Sequence, residues 1–384
     1  MFSTRLSWNA PPNAVSRLLE AKRAAGQSIL DLTESNPVKA GIALTDNEIL
    51  SPLRDARSLC YEPAPFGLEA TRHAVAEHLG GPAERLVLTA STSEAYSYLF
   101  KLLADAGDNI LVPQPSYPLF EYLAHLECLD IQPYPLRYHE GWWLDTRELA
   151  RLITPRSRAI VVVNPNNPTG SYVKQEELDR LAHLCAAHQL ALISDEVFFP
   201  YVLRPGLSPV STAQVQDCLT FTLGGLSKLL GLPQMKLGWI QASGPELLVQ
   251  PALARLELIA DSYLSVSAPV QHAAVSWLRS QPAFRRSLID RLTQNLLTLK
   301  QFAEPLLLEG GWYATIRLRS DRCEEDWTTY LLERYNVLIQ PGYFYDFAEE
   351  AFAIVSLLTT PPQLAEGLAR LSQGDGASAF AGGR

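Results

Sequence analysis

The chain lacks several features by which whole classes of protein are recognised. No apolar run approaches the length of a membrane span, and residues 1–13 contain no apolar core of signal-peptide length. The five cysteines are scattered, without a Cys-x-x-Cys pair, which is typical of a reducing compartment rather than of a disulfide scaffold. A glycine-rich dinucleotide fingerprint and a P-loop are also absent. These absences predict a soluble cytoplasmic protein with no membrane partner.

Basic side chains are too few for a general nucleic-acid-binding surface. Lys and Arg number 32 against 41 Asp and Glu, which gives a net charge of -9. Because phosphate backbones are bound mainly by clustered Lys and Arg, we expect no nucleic-acid partner. Hydrophobic residues make up 47% of the chain and charged residues 19%, as in ordinary globular proteins. A length of 384 residues favours one large domain with a smaller one.

Short apolar runs alternate with helical-period segments from about residue 85 onward. These runs are Arg85–Thr89, Asn109–Pro113, Ala159–Val163 and Leu190–Ile193. The alternation predicts an α/β fold with a mostly parallel central sheet and flanking helices. The pattern changes after about residue 275, where a long helical pattern runs from Phe284 to Pro305. We predict a large domain over 41–275 and a smaller α+β domain from 1–40 and 276–384, with 372–384 as a mobile tail.

A single lysine occupies a small-residue loop directly after an apolar run. Leu219–Leu223 is rich in strand formers, and Gly224-Gly225-Leu226-Ser227-Lys228 follows it. A partly desolvated amine at the end of a strand has a depressed pKa and can attack an aldehyde to form a Schiff base. A lone Ser-Lys pair more often lies in a solvated loop, so a Schiff-base role for Lys228 needs support from other motifs.

Two further motifs follow predicted strands. Asn164-Pro165-Asn166-Asn167-Pro168-Thr169-Gly170 comes after a run of valines, so a rigid turn places Asn167 at the carboxyl edge of the sheet, where its amide can donate to a phenolate oxygen. Asp195 closes the next buried run, Ile193-Ser194-Asp195. A carboxylate at that depth needs a cationic or hydrogen-bonding partner.

Together these motifs resemble the fold type I pyridoxal-phosphate enzymes, specifically the class I and II aminotransferases. The resemblance rests on N-P-x-N-P-T-G, S-D-E-V, and S-K with a downstream G-W, in that order, and it spans about Asp31 to Leu358. It implies that Lys228 binds pyridoxal 5'-phosphate as a Schiff base and shuttles a proton. It also implies that Asp195 pairs with the pyridine nitrogen, that Asn167 hydrogen-bonds the phenolic oxygen and that Tyr117 stacks on the ring.

The resemblance implies a phosphate cradle and a shared active site as well. Ser91, Thr92 and Ser93, at the start of a predicted helix, would bind the phosphate together with Ser227 and Lys236. An ordinary helix N-cap at Ser91 or Ser93 is compatible with that role. Tyr61 resembles the tyrosine that reaches the phosphate from the neighbouring subunit. The protein would then be a homodimer whose two copies share each active site.

The cofactor-binding residues of this chain depart from the family pattern at three positions. Gly225 stands where the family has a serine, and Lys236 stands where it has an arginine. A lysine is a point charge without the bidentate fork of a guanidinium. Phe198 replaces a tyrosine, so the phenolic oxygen of the cofactor loses one donor. We expect the phosphate to be held less rigidly and the Schiff base to have a higher pKa than in relatives with the tyrosine.

A fourth departure concerns the substrate. Family aminotransferases bind the substrate α-carboxylate with an arginine near the C-terminus, and Ile354 occupies that position here. The loss removes a charge-assisted contact of roughly 1.5–3 kcal/mol. Lys39, Arg317 and Arg319 are candidate substitutes, although each has the character of a solvated surface charge.

The resulting prediction is an aminotransferase that moves an amino group from an amino acid to a 2-oxo acid in a biosynthetic process. Lyases, decarboxylases and cyclising synthases that act on amino acids use the same lysine, aspartate and asparagine, and the missing arginine keeps that alternative open. A non-catalytic ligand-sensing module on the same fold is the third alternative. Such modules are usually fused to a DNA-binding region, for which this chain has neither the length nor the basic charge.

Overall fold

The computed structural model describes residues 2–7, 11–349, 351–372 and 380. The α-helices are α1 (Ala14–Ala24), α2 (Asp46–Leu50), α3 (Glu69–Leu79), α4 (Thr92–Leu103), α5 (Phe120–Leu126), α6 (Thr146–Leu152), α7 (Gln175–His188), α8 (Leu226–Leu229), α9 (Glu246–Asp261), α10 (Ala268–Trp277), α11 (Gln281–Lys300), α12 (Glu324–Tyr335) and α13 (Pro361–Ser372). The strands are β1 (Leu30–Asp31), β2 (Leu86–Thr89), β3 (Asn109–Gln114), β4 (Asp130–Tyr138), β5 (Trp142–Leu144), β6 (Ser157–Val163), β7 (Ala191–Asp195), β8 (Thr220–Gly225), β9 (Gly238–Ser243), β10 (Tyr313–Arg317), β11 (Val337–Leu338), β12 (Gln340–Pro341) and β13 (Phe352–Ser356).

Eight strands form the central sheet in the order β2-β9-β8-β7-β6-β3-β4-β5. The β3·β4, β3·β6, β6·β7 and β7·β8 pairs are parallel, whereas β9 and β5 run antiparallel to their neighbours. The predicted α/β fold with a mostly parallel, mixed sheet and flanking helices is therefore confirmed.

Helix layers on both faces explain the continuous apolar character of the central strands. Along β6, Ala159, Val161 and Val163 pack into one hydrophobic cluster, and Ile160 and Val162 pack into another on the opposite face. A strand that is covered on both faces reads as an unbroken apolar run instead of an alternating one. The valine run that precedes the Asn-Pro loop is thus a consequence of its position in the middle of the sheet.

The C-terminal part of the chain builds two smaller sheets. Strands β10, β13 and β12 form an antiparallel sheet, and β1 pairs in parallel with β11. The pairing of β1 and the packing of Val15 of α1 beside Leu332 of α12 join the N-terminal segment to this region. Helix α11 begins three residues before the predicted helix and ends five residues before its predicted end. The start agrees with Pro282 in the first helical turn, where proline needs no hydrogen-bond partner.

The C-terminal tail is only partly described. Of the predicted mobile segment 372–384, Ser372 and Phe380 are described, and the remaining residues lie outside the described part of the chain. Phe380 is 4% exposed, forms a β-bridge with Leu318 and packs against Phe302. Across 2–7, 11–349, 351–372 and 380, no helix combines the length and the hydropathy needed to cross a membrane.

Candidate active site

The three motifs meet at one edge of the central sheet. Strands β6, β7 and β8 are parallel neighbours, with Val163 opposite Asp195 and Asp195 opposite Leu223. The backbone N–H of Asn164 donates to the carbonyl of Asp195 over 2.8 Å. Since the carboxyl ends of parallel strands share an edge, the Asn-Pro loop, Asp195 and the lysine segment emerge side by side.

Lys228 lies in the short helix α8, which follows β8 directly. Its Nζ is 5.6 Å from the ring centre of Phe198 and 5.0 Å from that of Trp312. Desolvation in this aromatic setting lowers the pKa of Lys228, and the nearby carboxylate of Asp195 offsets part of the shift. The hydroxyl of Tyr201 donates to the backbone carbonyl of Lys228 over 2.5 Å and holds the helix in place. The amine is therefore closer to its neutral, nucleophilic form than a solvated lysine.

Asp195 is a buried carboxylate at the end of β7, only 7% exposed. Its Oδ1 accepts from the backbone N–H of Val197 at 3.1 Å, and its Oδ2 accepts from the hydroxyl of Tyr96 at 3.4 Å. Burial raises the pKa of Asp195 to about 6, against the lowering effect of these hydrogen bonds and of Lys228. A carboxylate in this position gains most from a cation that arrives beside it.

Asn167 is held in a rigid turn with its amide incompletely satisfied. The side chain of Asn166 accepts from Thr169 Oγ1 at 3.0 Å, and the N–H of Gly170 donates to the Asn166 carbonyl at 2.7 Å. Gly170 has φ +68°, and a Cβ there would lie 2.0 Å from Leu308 Cδ1, so only glycine fits. Asn167 is 8% exposed, yet its Oδ1 has no hydrogen-bond partner among the described residues. A buried amide oxygen without a partner is an exception among folded proteins.

The N-terminus of α4 lies beside the start of β9. Ser91 is the N-cap and accepts from the backbone N–H of Glu94 at 3.2 Å, while Thr92 and Ser93 form the first helical positions. A Cβ on Gly238 would lie 3.1 Å from the backbone of Ser91, so glycine keeps this approach open. The end of a 12-residue helix carries partial positive charge and unpaired N–H groups, which suit an anion.

The other predicted cofactor residues differ in their exposure. Ser227 precedes Lys228 in α8 and is partly exposed, whereas Lys236 is exposed and has a left-handed backbone, φ 54°. Tyr117 is 39% exposed, and desolvation and the charge of Asp195 raise its pKa, which shows that the phenol lies near this carboxylate. Tyr61 is 80% exposed and lines a cleft that none of the other predicted cofactor residues lines.

Ile354 fills the centre of the sheet face that bears Tyr313. It is fully buried, and its cross-strand neighbours are Thr315 of β10 and Gln340 of β12. Gln340 Oε1 accepts from the hydroxyl of Tyr345 at 2.5 Å. The position therefore has an apolar side chain with uncharged hydrogen-bonding groups around it.

The three candidate cations are all exposed. The guanidinium of Arg317 lies over the ring of Phe352 at 5.0 Å, on the same sheet face as Ile354 but two residue pairs further along. Arg319 forms an ion pair with Asp321 at 3.1 Å. None of these three cationic side chains occupies the position of Ile354 in the sheet.

Sequence patterns missed several aromatic residues of the site. Trp312 and Tyr313 come from the region of β10, far along the chain from Lys228, and both contact the ring of Phe198. Tyr96 reaches Asp195 from the buried face of α4. The apolar face of α4 is visible in the sequence, but no local pattern tells which of its aromatic residues meets the carboxylate.

The sequence profile of the aminotransferase class I and II family matches residues 30–371. Nicotianamine aminotransferase B of Hordeum vulgare is 29% identical over 352 residues, which cover 85% of this chain and 63% of that protein. An alanine aminotransferase of Mycobacterium tuberculosis is 31% identical over 260 residues, 65% of this chain and 60% of the relative. In each of these two matches the aligned part is less than two thirds of the relative's length.

Solved structures agree with the fold over almost the whole chain. The alanine aminotransferase from Pyrococcus furiosus superposes with a TM-score of 0.88 at 22% identity and covers 97% of this chain and 99% of that one. A Thermus thermophilus aspartate aminotransferase double mutant gives 0.84 at 24% identity, with 97% and 99% covered. These similarities show the fold, and the profile match over residues 30–371 shows the family. The chain belongs to the class I and II aminotransferases.

Proposed function

We propose that the protein is a pyridoxal-phosphate-dependent aminotransferase that moves an amino group from an amino acid to a 2-oxo acid. The observation that carries this proposal is the desolvated amine of Lys228 beside the buried carboxylate of Asp195 at the carboxyl edge of the sheet. Family membership supports the reaction class, because class I and II aminotransferases depend on this cofactor.

The residues present fit pyridoxal phosphate. Asp195 is a buried acceptor for a cationic ring nitrogen, the side-chain N–H2 of Asn167 can donate to the phenolic oxygen, and Tyr117 offers a ring face. When bound, the cofactor supplies an electron sink for the substrate α-carbon. Lys228 Nζ would hold the cofactor through its aldehyde, and as a base it would carry the proton to and from the substrate α-carbon.

We propose that Ser91, Thr92, Ser93, Ser227 and Lys236 hold the phosphate. The helix N-terminus at α4 supports this, since its N–H groups and dipole favour an anion. Lys236 contributes charge without a bidentate fork.

We also propose a homodimer in which Tyr61 reaches the phosphate of the other copy. The support is that Tyr61 is 80% exposed in the single chain. Sedimentation of the protein should give a dimer, and Tyr61→Ala should weaken cofactor binding more than Tyr122→Ala, a change at another exposed tyrosine. A monomer with full cofactor affinity would contradict this assignment.

The division into a domain over 41–275 and a second one from 1–40 with 276–384 stays a proposal, as do a cytoplasmic location and a biosynthetic role. The sheets agree with this division, because β2 to β9 lie within 86–243 and β10, β12 and β13 lie within 313–356. All five cysteines are unpaired thiols, which agrees with a reducing compartment.

A second candidate function is a lyase, decarboxylase or cyclising synthase that acts on an amino acid. The observation that favours it is Ile354, fully buried at the place where a cation would hold the substrate carboxylate. Such enzymes differ in which α-carbon bond is broken, and this depends on how the carboxylate is held.

One experiment separates the two functions. The holoenzyme is mixed with a panel of amino acids and amines, and the absorbance of the cofactor and the products are followed. Conversion to the pyridoxamine form with a 2-oxo acid supports the aminotransferase, whereas ammonia or carbon dioxide without that conversion supports the second candidate. Lys228→Ala should abolish both outcomes, and Lys300→Ala, at an exposed lysine at the end of α11, should change neither. Turnover by Lys228→Ala would refute the assignment of the lysine.

A further inference from the structure

A cavity of about 360 Å³ lies behind the segment that carries Lys228. Gly224, Gly225 and Leu229, which flank the lysine, form part of its wall. Lys228 and the residues proposed above to hold the ring and the phosphate do not line it, whereas Gly225, which stands where the family has a serine, does. Its volume lies within the range of roughly 300–1,000 Å³ that is usual for small-molecule sites.

One wall is a face of the central sheet that presents two buried polar side chains, Trp239 and Gln241. The pairing of β8 with β9 sets Trp239 opposite Gly224 and Gln241 opposite Thr222. Trp239 is 3% and Gln241 5% exposed, and both line the cavity. A Cβ on Gly224 would lie 2.5 Å from Trp239 Nε1, so the glycine lets the indole lie flat against the strand.

The opposite wall comes from the start of α11. Gln281 and Arg285 are one helical turn apart and both line the cavity. Gln281 is 4% exposed, and its Nε2 has no hydrogen-bond partner among the described residues. Arg285 is exposed and forms no ion pair with any described residue. His78 of α3 adds an imidazole whose pKa is lowered by burial and by the charge of Arg285, which favours its neutral form.

The acidic side chain on the wall, Glu196, already accepts hydrogen bonds at both of its oxygens. Its Oε1 accepts from the backbone N–H of Thr212 at 2.8 Å and from Asn164 Nδ2 at 3.2 Å, and its Oε2 accepts from Ser211 Oγ at 2.7 Å. Burial also raises the pKa of Glu196. The charged donor on the cavity wall is Arg285, whereas Glu196 is engaged by its own neutral donors.

Buried donors are normally paired, so the unpaired Nε2 of Gln281, one turn from the guanidinium of Arg285, indicates a missing acceptor. The rest of the lining is largely apolar and includes Leu79, Val197, Phe199, Val202 and Leu229. We propose that this cavity binds a small carboxylate with an apolar body, with the carboxylate towards Arg285 and Gln281 and the body against the apolar wall. Two carboxylate oxygens offer about four acceptor positions, enough to accept from both Gln281 and Arg285. A ligand there packs directly against the segment that bears Lys228.

The test is calorimetric titration of the holoenzyme with 3-phenylpropionate and with the neutral 3-phenylpropan-1-ol. We expect the carboxylate to bind about tenfold more tightly than the alcohol, because only the carboxylate makes a charge-assisted contact. Arg285→Gln should remove this preference. The matched control is Arg286→Gln, at the next residue of α11, which is also exposed but does not line the cavity, and it should keep the preference.

Three results would overturn the proposal: no binding of the carboxylate at millimolar concentration, equal affinity for the acid and the alcohol, or the same response in both arginine variants. Because Arg285 is exposed, its replacement should leave the fold intact, and an unchanged melting temperature checks this. Gln281→Met provides a second variant that removes one donor at nearly constant volume, and it should weaken carboxylate binding without affecting the alcohol. Since the titration measures binding alone, it stays interpretable whatever reaction the enzyme catalyses.

Discussion

Replacing Asp195 by asparagine should stabilise the cofactor-free protein. Burial raises the pKa of this carboxyl from 3.8 to about 6, so folding makes its ionisation less favourable. Between pH 3.8 and about pH 6 the native state binds more protons than the unfolded state. The free energy of unfolding therefore falls as pH rises through this range. At 1.36 kcal/mol per pH unit, the shift of about two units costs about 3 kcal/mol above pH 6. Asparagine has the same shape without the charge and avoids this cost.

The assay is urea unfolding of the cofactor-free wild type and Asp195→Asn between pH 5 and pH 8. The variant should be more stable by about 3 kcal/mol at pH 8 and by about half as much at pH 5. Asparagine can keep both hydrogen bonds of Asp195, because its amide oxygen can accept from the N–H of Val197 and its amide nitrogen can donate to the hydroxyl oxygen of Tyr96. Asp130→Asn, at an exposed aspartate, is the matched control and should show no such pH dependence.

A difference between the Asp195→Asn and wild-type proteins that stays constant from pH 5 to pH 8 would refute the reasoning, because it would mean that the buried carboxyl does not titrate in this range. In the holoenzyme the same substitution should impair function, although it stabilises the cofactor-free protein. The charged partner of the ring nitrogen is lost, and cofactor affinity and turnover should both fall.

Three other substitutions test the surroundings of the lysine. Phe198→Tyr should lower the pH midpoint of the absorbance change of the bound cofactor, because the new hydroxyl stabilises a phenolate; an unchanged midpoint contradicts this. Ile354→Arg should lower KM for amino acids by about tenfold or more, whereas Ile354→Met should not, and equal KM values in the two variants would show that the substrate carboxylate lies elsewhere. Tyr201→Phe removes the hydrogen bond to the carbonyl of Lys228 and should cost about 1 kcal/mol in urea unfolding, so full stability would argue against a structural role.

Local patterns predicted the sheet and the positions of its polar ends. The apolar runs that contain β3, β6 and β7 are interior strands, and the polar residues that follow them lie at one edge because parallel strands share their carboxyl ends. This is why Asn167, Asp195 and Lys228 could be singled out before their spatial relation was known. The sequence also set the chemistry of each group and identified Ile354 as a departure.

These local patterns do not predict contacts between segments that are distant in the chain. Nothing near Trp312 in the sequence indicates that its indole lies 5.0 Å from Lys228 Nζ, and nothing near Arg285 indicates a cavity behind the lysine. The exposure of Tyr61 likewise follows from packing and not from its neighbours in the chain.

The amino-acid sequence by itself determined the class of fold, the lysine and its two polar companions, and the absence of an arginine at position 354. The tertiary structure alone decided how far Lys228 and Asp195 are shielded from water, which aromatic rings surround the amine and which polar groups are left unpaired. The physical reason is that strand and helix patterns depend on the period of neighbouring residues, whereas desolvation and pKa shifts depend on side chains that the fold brings together from far along the chain.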